Sequence, residues 1–355
     1  HFGGKDHALG TRVKLGIDPT GARLHLGHSV PLLKLRDLQD LGHQIVFIIG
    51  DFTAVIGDTS DKESERPMLS HADIEKNMAD WRGQVGKIID VGKAEFRKNS
   101  EWLGNLTYRE IGEHANIFSV ADFIARDNIK KRLDEGKRVS LREVLYPLMQ
   151  GYDSVAVKAD IELGGSEQRF NLLAGRALQE HFGQAPQHVL TVALITDALG
   201  KKLSKTGTAT VNITDIPEDM FGKIMSVPDS LVRPYFVSMT RVPLDKIETL
   251  LAGHPKEAKM ALAEELVLMY HGDAAAQKAR ADFDKTFSKH EAPTDIQTVA
   301  LAGRDLADAL VASGIVESKT DYRRLEKAGA ISVLSDDATG KVLKIGKHRF
   351  VKITK

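Results

Sequence analysis

The sequence contains no cysteine among its 355 residues. Disulfide bonds and thiolate metal sites are therefore excluded, and the composition suits a reducing compartment, which we predict to be the cytoplasm. No apolar run reaches the roughly 18 residues that a membrane helix needs, so no membrane partner is expected. The first residues, HFGGKDHALG, do not have the form of a signal peptide.

The sequence also lacks an excess of either charge, because 49 Lys and Arg residues balance 49 Asp and Glu residues. Global electrostatics therefore give no general attraction to nucleic acid or to a membrane surface. With 42% hydrophobic residues, the composition is that of an ordinary soluble protein. The length exceeds what one hydrophobic core usually holds, so two or three domains are expected.

Continuous apolar runs alternate with amphipathic segments in the first half of the chain, which predicts a parallel α/β sheet with right-handed crossovers. The predicted strands are VKLGI (13–17) and two buried runs, IVFIIG (45–50) and HVLTVALIT (188–196). The predicted helices are LKLRDLQDL (33–41) and ADIEKNMADWRGQVGKII (72–89), with a polar loop at 51–70 and a charged helical interruption at 103–145.

The second half has a different pattern. Helices are predicted from about residue 207 to about 290, and HEAPTDIQT (290–298) is predicted to be a linker. The tail is predicted to form a helix, a turn, a second basic helix and short strands. Residues 301–355 hold eleven Lys and Arg against seven Asp and Glu. A basic helix is usually only a solvated surface, so RNA binding needs further support.

Two histidines, His25 and His28, flank Gly27 where the first strand passes into a helix. An HxxH pair could bind a metal, but no further ligands stand nearby, and we predict no metal site. Ordinary helix-start histidines are the second interpretation. The third is a phosphate site, because a helix N-terminus offers unpaired N–H groups, glycine permits close approach, and imidazoles can donate to phosphate. Pro31 is expected in the first turn of this helix.

A second motif, GKKLSKTGTA (200–209), contains three lysines and follows the last predicted strand. Such a cluster alone is usually a solvated loop. Together, HLGH (25–28) and KLSKT (202–206) resemble the two signatures of the class I aminoacyl-tRNA synthetases, an HIGH-like motif and a KMSKS-like loop. The resemblance implies a Rossmann-like catalytic domain that activates an amino acid with ATP.

Further segments resemble the bacterial tyrosyl members of this class, in the subgroup with a KLG start. The resemblance runs from about Lys14 to the C-terminus and rests on four stretches: GDFTAVIGDTSDKESERP (50–67), NSEW (99–102), LYPLMQGYDS (145–154) and LGGSEQRFN (163–171). It implies L-tyrosine and tRNA(Tyr) as substrates and a homodimer formed through residues 103–150.

Spacing supports an amino-acid site independently. Tyr146, Gln150 and Asp153 stand at i, i+4 and i+7, which places them on one helical face. A half-exposed polar face is an equally good explanation without the family resemblance. A substrate with an ammonium group at one end and a phenol at the other would satisfy all three side chains. A buried carboxylate left without the phenol proton would then disfavour phenylalanine.

The resemblance implies a role for each matched residue. Tyrosine would be bound by Tyr146, Gln150 and Asp58 at its ammonium, by Asp153 at its phenol, and near Asn99. The nucleotide and adenylate would contact Gly16, Asp18, Gly27, Gly165, Glu167, Gln168 and Lys205. Charge on the phosphates would be stabilised by His25, His28, Lys202, Lys205, Lys62 and Arg66, although a solvated charge run also explains the last two. Mg²⁺ is expected on the ATP phosphates from their chemistry.

Three features depart from the family pattern. Glu167 stands where the family usually has an aspartate, and Lys14 stands where many relatives have a tyrosine near the substrate hydroxyl. About a dozen residues precede the first strand, fewer than the family normally carries. The two explanations we expect are a missing N-terminal segment and the removal of disordered stretches.

The resemblance implies three domains: a catalytic domain over 1–208 with a helical insertion at about 103–150, a helical anticodon-proximal domain over 209–290, and a small α+β domain of the S4 RNA-binding type over 299–355. In this setting the basic tail is expected to contact tRNA through Lys319, Arg323, Arg324, Lys327 and Lys347.

Three alternatives stay open. A tryptophanyl enzyme of the same class normally lacks an S4 tail and would not need the Asp153 carboxylate. A non-catalytic RNA-binding relative is disfavoured by the intact HLGH and KLSK motifs, and Glu167 alone favours it. A nucleotidyltransferase with an HxGH signature would lack both the amino-acid residues and the tail.

Overall fold

The computed structural model describes residues 10–58, 68–193, 210–288, 296–337, 340–346 and 349–354. The chain divides into two compact units, His1–Ile195 and Thr196–Lys355, and each is described separately. Five of the predicted site residues lie outside the described residues: Lys62, Arg66, Lys202, Lys205 and Lys347.

The first unit contains five parallel strands: β1 (Arg12–Ile17), β2 (Gln44–Ile49), β3 (Ala94–Lys98), β4 (Ile161–Gly165) and β5 (His188–Val192). Their order in the sheet is β3-β2-β1-β4-β5. The apolar run of β2 is enclosed, since Ile45 and Phe47 are fully buried, as expected of a central parallel strand. The strand order reverses between β1 and β4, which is where open α/β sheets bind ligands.

Helices connect the strands of this unit. They are α1 (Leu26–Asp40), α2 (Asp51–Ile56), α3 (His71–Met78), α4 (Trp81–Val85), α5 (Ser100–Leu103), α6 (Tyr108–Ala115), α7 (Val120–Ile124), α8 (Asp127–Asp134), α9 (Leu141–Val157) and α10 (Arg169–His181). Helices α9 and α10 approach closely at Gly151, where a Cβ would lie 2.8 Å from Leu178 Cδ1 and 3.0 Å from the backbone of α10. This packing fixes α9 beside the sheet.

The second unit begins, in its described part, with α11 (Pro217–Met225), α12 (Val232–Met239), α13 (Leu244–Leu251), α14 (Pro255–His271) and α15 (Asp273–Ser288). The tail follows as β6 (Gln297–Ala300), α16 (Leu306–Ala312), α17 (Lys319–Lys327), β7 (Ile331–Asp337), β8 (Gly340–Ile345) and β9 (Arg349–Thr354). Its mixed sheet has the order β6-β9-β8-β7. Arg349 Nε donates to Asp219 Oδ2 at 3.1 Å, which ties the tail sheet to α11.

The predicted fold class is confirmed: a parallel Rossmann-like sheet with helices is followed by helices and by a small mixed sheet. The two-helix tail with short strands is confirmed as well, but β6 was not anticipated, and it begins inside the predicted linker. No helix in the described part of the chain combines the length and the hydropathy that a membrane crossing requires.

Three local predictions need correction. The 51–70 segment is not all loop, because Asp51–Ile56 forms α2. The 72–89 helix is two helices, since Asp80 leaves the helical region (φ −111°, ψ 10°) and Trp81 turns inward to donate to the Gly21 carbonyl at 3.2 Å. Strand β5 is not buried on both faces, because it is an edge strand with exposed and half-exposed side chains.

Candidate functional site

Most of the predicted site residues meet at the carboxyl edge of the sheet, where the strand order reverses. Gly16 lies in β1, and Asp18 is the first residue after that strand. Gly165 is the last residue of β4. Glu167 and Gln168 occupy the short 3₁₀ turn that comes next, Ser166–Gln168. The parallel sheet therefore brings together residues about 150 positions apart in sequence, as its topology requires.

The two histidines form the start of α1. His25 is the N-cap residue, and its Nδ1 accepts the Gly27 N–H at 3.1 Å. The His25 N–H is donated in turn to His28 Nδ1 at 3.2 Å, which completes a reciprocal capping box. The rings stack with centroids 3.8 Å apart. Because each Nδ1 accepts a hydrogen bond, each neutral ring carries its proton on Nε2, the donor that a phosphate oxygen requires.

Gly27 has a packing role that the sequence did not indicate, and Pro31 lies at a different place from the one predicted. A Cβ on Gly27 would lie 2.8 Å from His25 Cε1, so this glycine makes room for the capping ring itself. Pro31 is not in the first turn but inside the helix. It therefore removes the N–H that would otherwise bond to the Gly27 carbonyl, four residues earlier.

Asp18 is held by two hydroxyl groups. Thr53 Oγ1 donates to Asp18 Oδ1 at 2.7 Å, and the Tyr146 hydroxyl donates to Asp18 Oδ2 at 2.8 Å. Gly50 leaves space for this carboxylate, because a Cβ there would lie 2.0 Å from Asp18 Oδ1. The structure thus joins a residue predicted to line the nucleotide to a residue predicted to bind the amino acid.

Asp153 lies deeper, beside Trp102 and Asn99. Trp102 Nε1 donates to Asp153 Oδ1 at 2.8 Å, and Asn99 Nδ2 donates to Asp153 Oδ2 at 3.3 Å. Asn99 Nδ2 also donates to Thr53 Oγ1 at 2.9 Å. A continuous hydrogen-bonded chain therefore runs from Asp153 through Asn99 and Thr53 to Asp18.

Burial raises the pKa of the two carboxyl groups at the ends of this hydrogen-bonded chain, Asp153 and Asp18. It raises the pKa of Asp153 to about 6, against the opposing charge of Lys14 and the hydrogen bonds from Trp102 and Asn99. Burial likewise raises the pKa of Asp18 to about 7, with Asp58 and Asp153 adding to the effect. Carboxyl groups titrating this close to neutrality in a crevice are typical of functional sites.

A second chain of side-chain amides connects Asp58 with Gln150. Gln168 Nε2 donates to Asp58 Oδ2 at 2.7 Å. Asn171 Nδ2 donates to Gln168 Oε1 at 2.9 Å and to Gln150 Oε1 at 3.0 Å. Gln150 Nε2 completes the chain by donating to Glu162 Oε1 at 3.2 Å. Two of the three residues predicted to bind an ammonium group, Asp58 and Gln150, therefore belong to one network.

Lys14 is fully buried against Glu162, to which it lies opposite in the β1–β4 register. Lys14 Nζ contacts Glu162 Oε1 at 2.9 Å, the Gln150 carbonyl at 2.9 Å and Ser154 Oγ at 2.8 Å. The residue that replaces a tyrosine in the family pattern is thus an internal ion-pair partner.

Glu167 folds back over Gly165. A Cβ on Gly165 would lie 2.2 Å from Glu167 Oε2, so glycine is required for this position of the longer carboxylate. The extra methylene of glutamate relative to aspartate is therefore accommodated beside a residue without a side chain.

Sequence reasoning missed Thr53, Trp102, Glu162 and Asn171 as members of these networks. A charge inside an otherwise apolar strand was a usable signal for Glu162, as it was for Lys14. The other three residues carry no local signal, because their partners come from distant segments of the chain.

The predicted tRNA-binding helix lies on the surface of the second unit. Helix α17 has no buried residue, and Arg323 and Lys327 are exposed. Lys319 forms an ion pair with Asp308 at 2.5 Å, and Arg324 forms one with Asp321 at 2.6 Å. Two of the described basic residues are thus partly neutralised by neighbours.

A parallel sheet with a polar crevice at its switch point and histidines at the following helix start defines an α/β enzyme that handles nucleotides. Residues 9–288 match the family model described as tRNA synthetases class I (W and Y). The chain belongs to this family.

Curated relatives extend the similarity over almost the whole chain. The tyrosine–tRNA ligase of Thermotoga maritima is 40% identical over 97% of this chain and 90% of its own length. The tyrosine–tRNA ligase of Cupriavidus pinatubonensis is 42% identical over 97% of this chain and 87% of its own length.

Solved structures share the fold. The C-terminally truncated mitochondrial tyrosyl-tRNA synthetase of Coccidioides posadasii matches with a TM-score of 0.61 and 26% identity, over 77% of this chain and 83% of that one. The Archaeoglobus fulgidus tyrosyl-tRNA synthetase, complexed with L-tyrosine, matches with a TM-score of 0.59 and 21% identity, over 76% and 90%.

Proposed function

We propose that this enzyme is a tyrosine–tRNA ligase that joins L-tyrosine to ATP, releases pyrophosphate, and transfers the tyrosyl group to the 3′ end of tRNA(Tyr). The observation that carries the proposal is the buried Asp153 carboxylate, held by Trp102 and Asn99 in the crevice where the strand order reverses. A substrate phenol can donate a hydrogen bond to this carboxylate, and the curated relatives that match almost the whole chain are tyrosine–tRNA ligases. The cytoplasm is the compartment we propose, because translation takes place there.

The amino-acid site would hold tyrosine by its two ends. Asp153 would accept a hydrogen bond from the phenol O–H, while Asp58, Gln150 and Tyr146 would surround the ammonium group. The amide chain between Asp58 and Gln150 supports this assignment, since it joins two of the three groups. The Tyr146 hydroxyl donates to Asp18, which leaves its oxygen lone pairs for an ammonium donor.

The nucleotide would lie along the crevice. Gly16, Asp18, Gly27, Gly165, Glu167 and Gln168 are proposed to contact ATP or the adenylate, with Mg²⁺ arriving on the phosphates as part of the substrate. His25 and His28 would donate from Nε2 to phosphate oxygens as negative charge builds up in the transition state. Lys62, Arg66, Lys202 and Lys205 are proposed for the same task. Such a transfer needs positioning and charge neutralisation more than a general base.

The part of the second unit that follows residue 208 would bind tRNA. We assign 1–208 to catalysis with an insertion at about 103–150, 209–290 to an anticodon-proximal helical domain, and 299–355 to an S4-like domain. Phosphate contacts are proposed for Lys319, Arg323, Arg324, Lys327 and Lys347. The surface position of α17 supports these assignments.

The Arg323→Ala/Lys327→Ala double variant should charge tRNA(Tyr) less efficiently than wild type while keeping tyrosine-dependent pyrophosphate exchange. Two lost phosphate contacts should weaken tRNA binding about tenfold at low salt and flatten the slope of log K against log salt by about 1.5. The measurement is kcat/KM for tRNA at two salt concentrations.

The matched control for charge is Lys34→Ala/Lys93→Ala, which removes two exposed basic residues from the first unit. If kcat/KM for tRNA, at both salt concentrations, is the same in the α17 variant as in wild type, RNA binding by this helix is contradicted.

We propose that two copies of the chain associate through the insertion at about 103–150. Large apolar side chains are exposed there: Tyr108 is 95% accessible, Val120 71% and Leu141 72%. A single exposed apolar residue is ordinary, but three large ones on one insertion would supply the apolar contacts that an interface with another chain needs.

Wild type is expected to sediment as a dimer, and Tyr108→Glu/Val120→Glu is expected to sediment as a monomer, because a charge at an apolar interface is costly to bury. Leu41→Glu is the matched control, since Leu41 is also exposed (66%) but lies outside the insertion. A monomeric wild type, or dissociation by the control substitution as well, would rule out this interface.

The proposed function is tested by aminoacylation of purified tRNA(Tyr) and tRNA(Trp) with labelled tyrosine and tryptophan. Stable tyrosine attachment to tRNA(Tyr) alone is the expected result. Tryptophan attachment to tRNA(Trp) would make the enzyme the other member of its family, and no attachment in either case would favour a non-catalytic relative.

A further inference from the structure

A buried ion pair lies directly behind the proposed ammonium site. The side chains of Lys14 and Glu162 are 0% and 1% exposed, and their charged atoms are 2.9 Å apart. The ammonium group of Lys14 has three hydrogen-bond acceptors, namely Glu162, Ser154 Oγ and the Gln150 carbonyl. The pair is therefore fully hydrogen-bonded on the lysine side, the condition under which a buried charge is tolerated.

Glu162 controls which way the Gln150 side chain faces. An ionised carboxylate can only accept hydrogen bonds, so it requires the NH₂ end of a neighbouring amide. Gln150 Nε2 meets that requirement at 3.2 Å, and Gln187 and Ser154 donate to the other oxygen of Glu162. The oxygen of the Gln150 carboxamide must consequently point away from Glu162.

Asp58, at the other end of the network, orients Gln168 in the same way. The carboxylate of Asp58 takes the NH₂ end of Gln168, so the Gln168 oxygen also points inward. Asn171 Nδ2 supplies one N–H to each of the two glutamine oxygens. Asn171 is 1% exposed, and within the described residues its Oδ1 has no hydrogen-bond partner. Reversing Asn171 would place its oxygen against both glutamine oxygens, so one arrangement satisfies the chain.

We propose that Lys14, Glu162 and Asn171 are positioning residues of the amino-acid site, which hold the Gln150 carboxamide with its oxygen available to the substrate ammonium group. The inference rests on the proposed function and deepens it. A carboxamide oxygen has two lone pairs, so Gln150 Oε1 can accept from Asn171 and from an ammonium group together. A reversed carboxamide would present N–H donors to a cation.

The test removes the orienting charge without changing the size of the residues much. In Lys14→Met/Glu162→Gln, both charges disappear together, so no unpaired charge is left buried. Residue 162 can then donate or accept, and the Gln150 amide is free to reverse. The dissociation constants of L-tyrosine and of 3-(4-hydroxyphenyl)propionate, which lacks the amino group, are measured by calorimetry. Tyrosine should bind about tenfold more weakly and the propionate within about twofold of wild type.

Two further variants complete the experiment. Asn171→Asp replaces the shared donor with an acceptor and should also weaken tyrosine selectively. Arg132→Met/Glu143→Gln removes another buried ion pair (2% and 0% exposed) that is not in the amide chain, and should change neither dissociation constant.

The outcomes separate the inference from the proposed function. Selective loss of tyrosine affinity in both network variants supports the positioning role. The positioning role is overturned if the network variants lose equal affinity for the two ligands, or if their affinity for tyrosine is unchanged. The proposed function is not affected by either result as long as the wild-type enzyme binds tyrosine. A wild-type enzyme that binds no tyrosine would instead overturn the proposed function, and this inference with it.

Discussion

The His25→Ala variant is expected to form tyrosyl-adenylate about a hundred to a thousand times more slowly than wild type, with tyrosine affinity nearly unchanged. The reason is that Nδ1 of His25 accepts the Gly27 N–H, which leaves Nε2 as the donor. We propose that this donor meets the phosphate, where charge is greatest in the transition state. The measurement is the single-turnover rate of adenylate formation at saturating ATP and tyrosine. His28→Ala should act in the same direction.

His254 provides a matched control, because it caps α14 in the same way. Its side chain accepts the Lys256 N–H at 3.2 Å, just as His25 accepts the Gly27 N–H at 3.1 Å. His254→Ala therefore removes an equivalent helix cap, worth about 1 kcal/mol of stability, with no expected effect on adenylate formation. If both variants slow the reaction equally, or if His25→Ala chiefly weakens tyrosine binding, the phosphate role is wrong.

The second large effect is expected from Asp153→Asn, which should weaken tyrosine binding about a hundredfold and reduce discrimination against phenylalanine. An amide presents a donor where Trp102 and Asn99 already donate, so it is a poor acceptor for the phenol proton. The measurement is the dissociation constant of each amino acid. Asp160→Asn is the control, since Asp160 accepts from the Arg12 N–H just before β4 begins, at the opposite edge of the sheet.

The Asp153 assignment also predicts a pH dependence. The pKa of Asp153 is raised to about 6 by burial, so its ionised, phenol-accepting form is lost as the pH falls through that value. Tyrosine affinity should therefore decline between pH 7 and pH 5. Asp18, whose pKa is about 7, also titrates in this range. The comparison with Asp153→Asn isolates the contribution of Asp153, and an identical pH profile in that variant would contradict the assignment.

Elements of the fold that depend on a local pattern of side chains could be predicted from the sequence. The apolar run of β2 predicted a central strand, and HLGH following β1 predicted the start of α1 at the crevice. The i, i+4, i+7 spacing placed Tyr146, Gln150 and Asp153 on one helix, α9. These features depend on side-chain periodicity and on helix capping, both of which act over a few residues.

Contacts between residues that lie far apart in the chain could not be predicted from the sequence. The interaction of Lys14 with Glu162 depends on β1 and β4 being neighbours, although β2 and β3 lie between them in the chain. The exposure of β5 also depends on the strand order, because that order places β5 at the edge of the sheet. The predicted 72–89 helix breaks at Asp80, and the indole of the next residue, Trp81, donates to the Gly21 carbonyl, 60 residues away in the chain. Tertiary contacts of this kind override local propensity.

If the crevice activates tyrosine and no other amino acid, amino-acid-dependent exchange of labelled pyrophosphate into ATP will show it. The assay needs no tRNA, so it reports the proposed catalytic domain alone. Each of the twenty amino acids is supplied separately with ATP and Mg²⁺. Exchange is expected with tyrosine, and none above background with the other nineteen, phenylalanine and tryptophan included. Exchange with tryptophan in place of tyrosine, or with none of the twenty, would contradict this expectation.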